Sequence, residues 1–228
     1  MDIQAILQTV DHTLLRPEAT WPQIKALCDE GVRYGVATVC VPPAHVANAA
    51  QYLNGNLPVC TVIGFPNGYS TTYMKCLEAQ DARQNGAEEI DMVINLGWAK
   101  NGRMEWVGEE IKAVKGICGE HVLKVIIETC LLTEEEKLQL CEVVSSSGAD
   151  FIKTSTGFGG GGATFEDVAL LKPHIRPGLK LKASGGNASL EDAERFLSLD
   201  ADRLGTSRVV RAVQELEAQK TAKEKSKT

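Results

Sequence analysis

Two lysines stand late in apolar runs and are followed at once by small residues and glycine: Lys153 in FIKTSTG and Lys182 in LKASGG. A carboxylate, Asp91, lies inside a third such run, EIDMVIN. A charged lysine within a buried strand is costly unless it is paired or neutral. Neighbouring strands lie about 5 Å apart, so two ammonium groups on adjacent strands repel each other, and burial adds to that repulsion. One of the two then favours the neutral amine, the form that adds to carbonyls and makes Schiff bases. A nearby carboxylate can move the protons. Taken singly, each lysine is equally well read as an ion-pair partner or as a strand-end residue reaching solvent. Their coincidence with Asp91 is what points to carbonyl chemistry.

Other polar residues fit around this set. Asp11, beside His12 near the first strand, is a candidate for orienting the lysines. Lys124 comes early in VLKVIIE, with Glu128 on the same face at its end, and reads as structural with a supporting place in the site's electrostatic network. Lys180 shares parity with Lys182 one layer deeper and reads as structural. His12 reads as a hydrogen-bonded structural histidine, and Cys40 as either a cavity-lining or a core residue. Trp98 and Trp106 read as ordinary packing. The four histidines show no metal-ligand spacing, and no metal site is expected.

Two glycine-bearing turns follow late strands and precede helices: Ser184-Gly185-Gly186 and Gly205-Thr206-Ser207. Backbone N–H groups in such turns bind phosphate, and glycine permits close approach. The run Gly157 to Gly162 formally matches G-x-G-x-x-G. No Asp or Glu occurs between Asp167 and Glu191, where a ribose-binding acid would fall, and no Lys-Ser/Thr follows the glycines. Both a dinucleotide fingerprint and a P-loop are therefore excluded. The run is either a flexible loop or a backbone surface that closes over a ligand.

The elements that must position these residues alternate. Strands are expected at 10–14, 36–41, 59–64, 89–94, 122–128, 151–155, 179–184 and 203–206, several of them nearly continuous apolar runs, as strands buried on both faces should be. Helix starts are marked by Thr20-x-x-Gln23 and Thr133-x-x-Glu136, and more weakly by Thr164-x-x-Asp167 and Ser189-x-x-Asp192. Gly31, Gly86, Gly148 and Gly178 are placed to end helices. Strand–helix alternation implies a parallel sheet, and about eight units fit an α/β fold of the (β/α)8 TIM-barrel type, with an open doubly wound sheet as the alternative. In such a barrel the site lies at the C-terminal ends of the strands. A single barrel domain is expected over 1–213, and a charged, apolar-poor tail, frayed or disordered, over 214–228.

Composition narrows the function classes. The 228 residues carry a net charge of -6, so nucleic acid is not an expected partner. Seven cysteines without a C-x-x-C pair argue against a disulfide framework and for a reducing cytoplasm. The N-terminus lacks a basic region and does not read as a signal peptide, and no window has the apolar length of a membrane span.

With these motifs in order, the sequence resembles the deoxyribose-phosphate aldolase family. The similarity runs through DHTLLRPEAT, ATVCVPPAHV, TVIGFPNGYST, GAEEIDMVINLG, LKVIIETCLLTEEE, ADFIKTSTGF, LKASGG and ADRLGTSR. The resemblance implies a class I aldolase on a barrel, cleaving 2-deoxy-D-ribose 5-phosphate reversibly to acetaldehyde and D-glyceraldehyde 3-phosphate in deoxyribonucleotide catabolism, with no cofactor. It places the Schiff-base lysine at Lys153, the second active-site lysine at Lys182 and the proton-relay aspartate at Asp91. The opening aspartate falls on Asp11, and the phosphate-binding backbone on Gly185, Gly186, Gly205 and Ser207, with Gly157 nearby. It also implies a cytoplasmic homo-oligomer, dimer or tetramer. Three departures stand out: Asn187-Ala188-Ser189 replaces the usual aliphatic-Arg-Thr after SGG, the glycine run is long, and the tail KEKSKT lacks the tyrosine some relatives carry. The readings to be separated from this one are another barrel aldolase or isomerase of phosphorylated sugars and a non-catalytic binder of phosphorylated metabolites.

Overall fold

In the computed structural model, which describes residues 2–186 and 189–225, eight parallel strands close into a barrel in sequential order. The short helix α1 (Ile3–Leu7) leads into β1 (Val10–Thr13), and the units that follow are α2 (Trp21–Tyr34), β2 (Thr38–Cys40), α3 (Val46–Leu53) and β3 (Val59–Ile63). Next come α4 (Thr72–Gln84), β4 (Glu89–Val93), α5 (Leu96–Lys100), α6 (Met104–Cys118), β5 (Val122–Ile126) and α7 (Glu134–Ser145). The barrel ends with β6 (Phe151–Lys153), α8 (Phe165–Leu171), β7 (Lys180–Ser184), α9 (Leu190–Ser198), β8 (Arg203–Thr206) and α10 (Val209–Lys225). Each strand falls within its expected run, so the barrel, rather than the open sheet, is the fold.

Strand parity splits the molecule into two unlike interiors. Outward-facing residues such as Val10, Val39, Ile90, Met92, Leu123, Val125, Ile152 and Leu181 join the helices in one large apolar core. Inward-facing positions stack in layers drawn from alternate strands. Counting from the N-terminal end by register, these are Thr38, Glu89, Phe151 and Arg203; then Asp11, Cys60, Lys124 and Lys182; then Cys40, Asp91, Lys153 and Gly205; and last Thr13, Val62, Ile126 and Ser184. Charged residues are thus concentrated in the middle of the barrel's interior, and most of the hydrophobic stabilisation comes from the outer shell.

Local expectations fare unevenly. Capping boxes form at Thr20/Gln23, Thr133/Glu136 and Ser189/Asp192. At Thr164 only the hydroxyl accepts from Asp167 N, because the Asp167 carboxylate is taken by Lys137 at 2.6 Å and by the Thr129 hydroxyl at 2.8 Å. Gly31 does not end its helix. It sits inside α2, where a Cβ would approach Leu57 Cδ2 to 2.8 Å, and Gly35, at φ 62°, makes the left-handed turn instead. The stretch expected as a frayed tail continues α10 through residue 225. It is anchored to α2, with Tyr34 Oη donating to Glu217 at 2.9 Å and Gln214 Nε2 to Glu30 at 3.1 Å. Residues 226–228 lie outside the described residues.

Candidate active site

The elements bring the predicted charged residues together. Lys153 and Lys182 are register partners on β6 and β7, and Asp91 faces them from β4. Asp91 Oδ2 accepts from Lys153 Nζ at 2.7 Å and from Lys182 Nζ at 2.6 Å, while its Oδ1 accepts from Lys124 Nζ at 2.9 Å. Asp11 bonds Lys182 and, through Oδ1, Arg203 Nη1 at 2.6 Å, and Glu89 bonds Lys124 at 2.5 Å. Lys153 is 4% exposed and Asp91 fully buried.

Lys124 corrects the sequence reading. It is the hub of the network rather than its margin, touching Asp11, Glu89, Asp91 and the Cys60 thiol. Glu128, expected on the same face at the end of this strand, lies beyond it because β5 ends at Ile126. Glu128 then turns into a left-handed conformation (φ 54°) and accepts from the Thr156 N–H and hydroxyl, pinning the segment after Lys153. Lys180 is exposed at the opposite end of the barrel, over the Phe151 ring. Arg203 and Glu89 escaped the sequence reading, and Glu128 was read only as sharing the face of Lys124. Strand parity counted from Asp91 would have put Glu89 inside the barrel, whereas Arg203 is placed there by its register with Lys182 across β7 and β8, and no sequence signal marks the turn at Glu128.

The electrostatics follow from this packing. Burial alone would raise both carboxyls and lower both flanking lysines. The ion pairs outweigh it: Lys124, Lys153 and Lys182 hold Asp91 well below the usual carboxylate range, and Lys124, Lys182 and Arg203 do the same for Asp11. Conversely, against burial, Asp11 and Asp91 hold Lys124 and Lys182 above the ordinary lysine value. Three carboxylates therefore face three firmly protonated bases, Lys124, Lys182 and Arg203. Lys153 is the fourth base of the cluster, and Asp91 is its carboxylate partner among the described residues.

A pH dependence follows. The lowered carboxyls contribute stability that is fully present above the unfolded carboxyl value near 3.8 and is lost as pH falls below it. The thermal midpoint is expected to hold from pH 7 to about 5 and to drop progressively below about pH 4. Calorimetry across that range is the check, and a flat profile down to pH 2 would be inconsistent with the network.

Above the lysines opens a cavity of about 550 Å³. Lys153 and Ser184 line it, together with Gly157, Gly185, Gly205 and Ser207. Gly186 lies just behind, its backbone so close to the segment before α8 that a Cβ would come within 2.0 Å of Ala163 O. Asn187 and Ala188, the departure after SGG, lie outside the described residues. Arg16, Arg208 and Arg211 also line the cavity and give its mouth positive charge that the sequence reading did not assign. The glycine run packs closely rather than hanging free, since a Cβ on Gly162 would meet Gly185 O at 2.3 Å and one on Gly161 would meet Cys130 Cβ at 2.6 Å. Phe158 stands half exposed over Phe65, ring centroids 5.3 Å apart.

His12 faces outward, its Nε2 2.8 Å from Glu30, and Trp98 stacks edge-on against Trp106 at 5.7 Å. Cys40 is buried in a small interior cluster with Cys60 and Val62, outside the lining of the large cavity. All seven cysteines are free thiols. Among the described residues, two groupings have metal-ligand geometry, Cys40–Cys60–Asp91 and Asp11–Cys60–Glu89, but their carboxylates already bind Lys124, Lys182 and Arg203. A dication there would have to displace ammonium and guanidinium groups.

A closed parallel barrel with a buried lysine held against a carboxylate under an open, cationic mouth defines a class of protein, the barrel aldolases that work through a lysine. The particular family is the DeoC/LacD aldolases: their profile matches residues 3–205, and the chain belongs to that family. It is 57% identical over 213 residues to a deoxyribose-phosphate aldolase of Streptococcus agalactiae, covering 93% of this chain and 96% of that one. It is equally similar over 221 residues to a deoxyribose-phosphate aldolase of Streptococcus pyogenes, covering 97% and 99%. Among solved structures, the tetrameric deoxyribose phosphate aldolase of Aeropyrum pernix superposes with a TM-score of 0.88 at 30% identity, over 95% of this chain and 93% of that one. No helix among the described residues is long and apolar enough to cross a membrane.

Proposed function

We propose that this chain is a class I aldolase that reversibly cleaves 2-deoxy-D-ribose 5-phosphate to acetaldehyde and D-glyceraldehyde 3-phosphate. The observation that carries the reading is the Lys153–Asp91–Lys182 arrangement beneath a glycine-lined, arginine-flanked cavity. The Lys153 amine adds to the aldehyde carbon of the open-chain sugar, and water leaves to give an iminium. The bond between carbons 2 and 3 then breaks. Its electron pair flows into the iminium as the hydroxyl on carbon 3 passes its proton through a water to the Asp91–Lys182 pair, which later returns a proton to carbon 2, and glyceraldehyde 3-phosphate departs. Protonation of the remaining enamine at carbon 2, followed by hydrolysis, releases acetaldehyde and frees the lysine.

Asp91 Oδ2, 2.7 Å from Lys153 Nζ, is placed to stabilise the iminium charge. A carboxylate held so far below its usual range is a weak base. The proton-carrying unit is therefore the Asp91–Lys182 pair acting through a water, with the Lys182 ammonium as donor. Asp11 and Lys124 fix the charges of that pair. Gly157, Gly185, Gly186, Gly205 and Ser207 supply backbone contacts to the phosphate, and the arginines attract it.

The experiment is a retro-aldol assay on 2-deoxyribose 5-phosphate and on unphosphorylated 2-deoxyribose, reading released acetaldehyde. Turnover with a strong preference for the phosphorylated sugar supports the reading. Failure to release acetaldehyde from either sugar rejects it, and turnover without preference rejects the phosphate assignment. A homo-oligomer is part of the proposal, supported by the tetrameric Aeropyrum pernix relative. Light scattering is expected to give a dimer or tetramer, and a monomer mass at micromolar concentration would exclude it. A cytoplasmic location rests on the seven free thiols, which suit a reducing compartment.

A further inference from the structure

Ser184 is a polar side chain that the scheme above leaves without a task. It lies on β7 two residues beyond Lys182, about 6.6 Å further towards the mouth at the usual rise of a parallel strand. By parity it belongs to the last interior layer, the one immediately above Lys153. It is only 4% exposed and lines the cavity, and its hydroxyl oxygen has no hydrogen-bond partner. The other buried hydroxyls on the cavity wall are engaged. Thr156 donates to Glu128, and Thr206 accepts from Arg208 N. Even the backbone of Ser184 is committed, its N–H to Thr154 Oγ1 at 3.1 Å and its carbonyl to Ala163 N at 2.8 Å.

The space for this hydroxyl is made by its register partner. A Cβ on Gly205 would lie 2.2 Å from Ser184 Oγ and 3.0 Å from Lys182 Cε. Glycine at 205 therefore does more than admit phosphate to the backbone, because it leaves room beside the lysines in which the serine hydroxyl packs. Buried polar groups without partners are rare in native proteins, and this one belongs to a residue that lines a binding cavity.

We infer that Ser184 is a specificity-determining residue that hydrogen-bonds the hydroxyl on carbon 4 of the sugar, the hydroxyl that becomes the 2-hydroxyl of glyceraldehyde 3-phosphate. The inference rests on the aldolase reading. A substrate joined to Lys153 through carbon 1, with its phosphate among the glycines at the mouth, must pass Ser184 between its two ends. The hydroxyl on carbon 3 lies next to the breaking bond, within the reach of the Asp91–Lys182 pair. The hydroxyl on carbon 4 is the next one outwards, one layer nearer the mouth, where Ser184 stands.

The test compares two acceptors in the condensation direction with saturating acetaldehyde: glyceraldehyde 3-phosphate, and 3-oxopropyl phosphate, which lacks only the hydroxyl in question. The unmodified chain is expected to favour the hydroxylated acceptor. Ser184→Ala is expected to lower kcat/KM about tenfold for glyceraldehyde 3-phosphate and less than twofold for 3-oxopropyl phosphate. Its thermal midpoint should be unchanged or raised, since a buried hydroxyl without a partner has been removed. An equal loss on both acceptors, or no loss on either, overturns the assignment. Failure of the unmodified chain to condense either acceptor would bring down the aldolase reading itself, and it would be seen before any substitution was made.

Discussion

Lys153→Met is expected to lower kcat/KM for the retro-aldol reaction by about four orders of magnitude or more, the scale seen when a covalent nucleophile is removed from a working set. The substitution keeps much of the side chain's length and takes away its amine. Three cations then face three carboxylates, and Asp91 keeps Lys124 and Lys182. The fold should therefore survive, with a far-ultraviolet dichroism spectrum like that of the parent and a thermal midpoint within a few degrees. Lys153→Arg sharpens the result. Arginine retains the positive charge but cannot form the imine, so an enzyme loses its activity while a site that only recognises anions keeps its affinity. Near-parental turnover in either variant would place the chemistry elsewhere.

Asp91→Asn is expected to act on two quantities at once. The carboxylate is the shared partner of Lys124, Lys153 and Lys182, and it is fully buried. Replacing it with a neutral amide takes from Lys153 its ion-pair partner and from Lys124 and Lys182 one of theirs, with Asp11 and Glu89 remaining, and removing one partner of a buried pair costs about 3–5 kcal/mol. Folded domains are stable by about 5–15 kcal/mol, so the variant should fold but melt well below the parent. Turnover should fall by about 10²–10⁴, because both iminium stabilisation and proton delivery pass through this oxygen. Denaturant unfolding and steady-state kinetics on one preparation separate the effects. A variant with parental stability would show that the ion pairs are not tight in solution, and one with parental kcat would remove Asp91 from the scheme.

The sequence carries much of this arrangement in readable form because a parallel barrel writes its strands as short, separate apolar runs. Each of the eight was visible, and the ends of Arg203–Thr206 were read to the residue. Lys153, Lys182 and Asp91 were conspicuous because charge inside such a run needs an explanation, and the fold supplies it by turning all three inward. Lys124 was undervalued for a definable reason: its strand was read two residues too long, so Glu128 was counted on the wrong side of a turn it helps to make. Arg203 and Glu89 were passed over because each opens a strand, where a charge ordinarily meets solvent. Only barrel closure sets Arg203 Nη1 within 3.2 Å of Glu89. The tail's composition carries no sign of the contacts its first residues make. Its polar face is real, but Gln214 and Glu217 use it to grip α2. Ser184 was legible only as part of a turn, since nothing in a sequence says that one hydroxyl among many will find no partner.

The most direct measurement of the central claim is where a carbonyl substrate becomes fixed. The protein is treated with near-stoichiometric acetaldehyde and borohydride, digested, and its lysines mapped by mass spectrometry. A single reduced ethyl group on Lys153, lost in Lys153→Arg, is the expected result. An ethyl group on Lys182 or Lys124 in preference to Lys153, or labelling spread over surface lysines with Lys153 untouched, would contradict it.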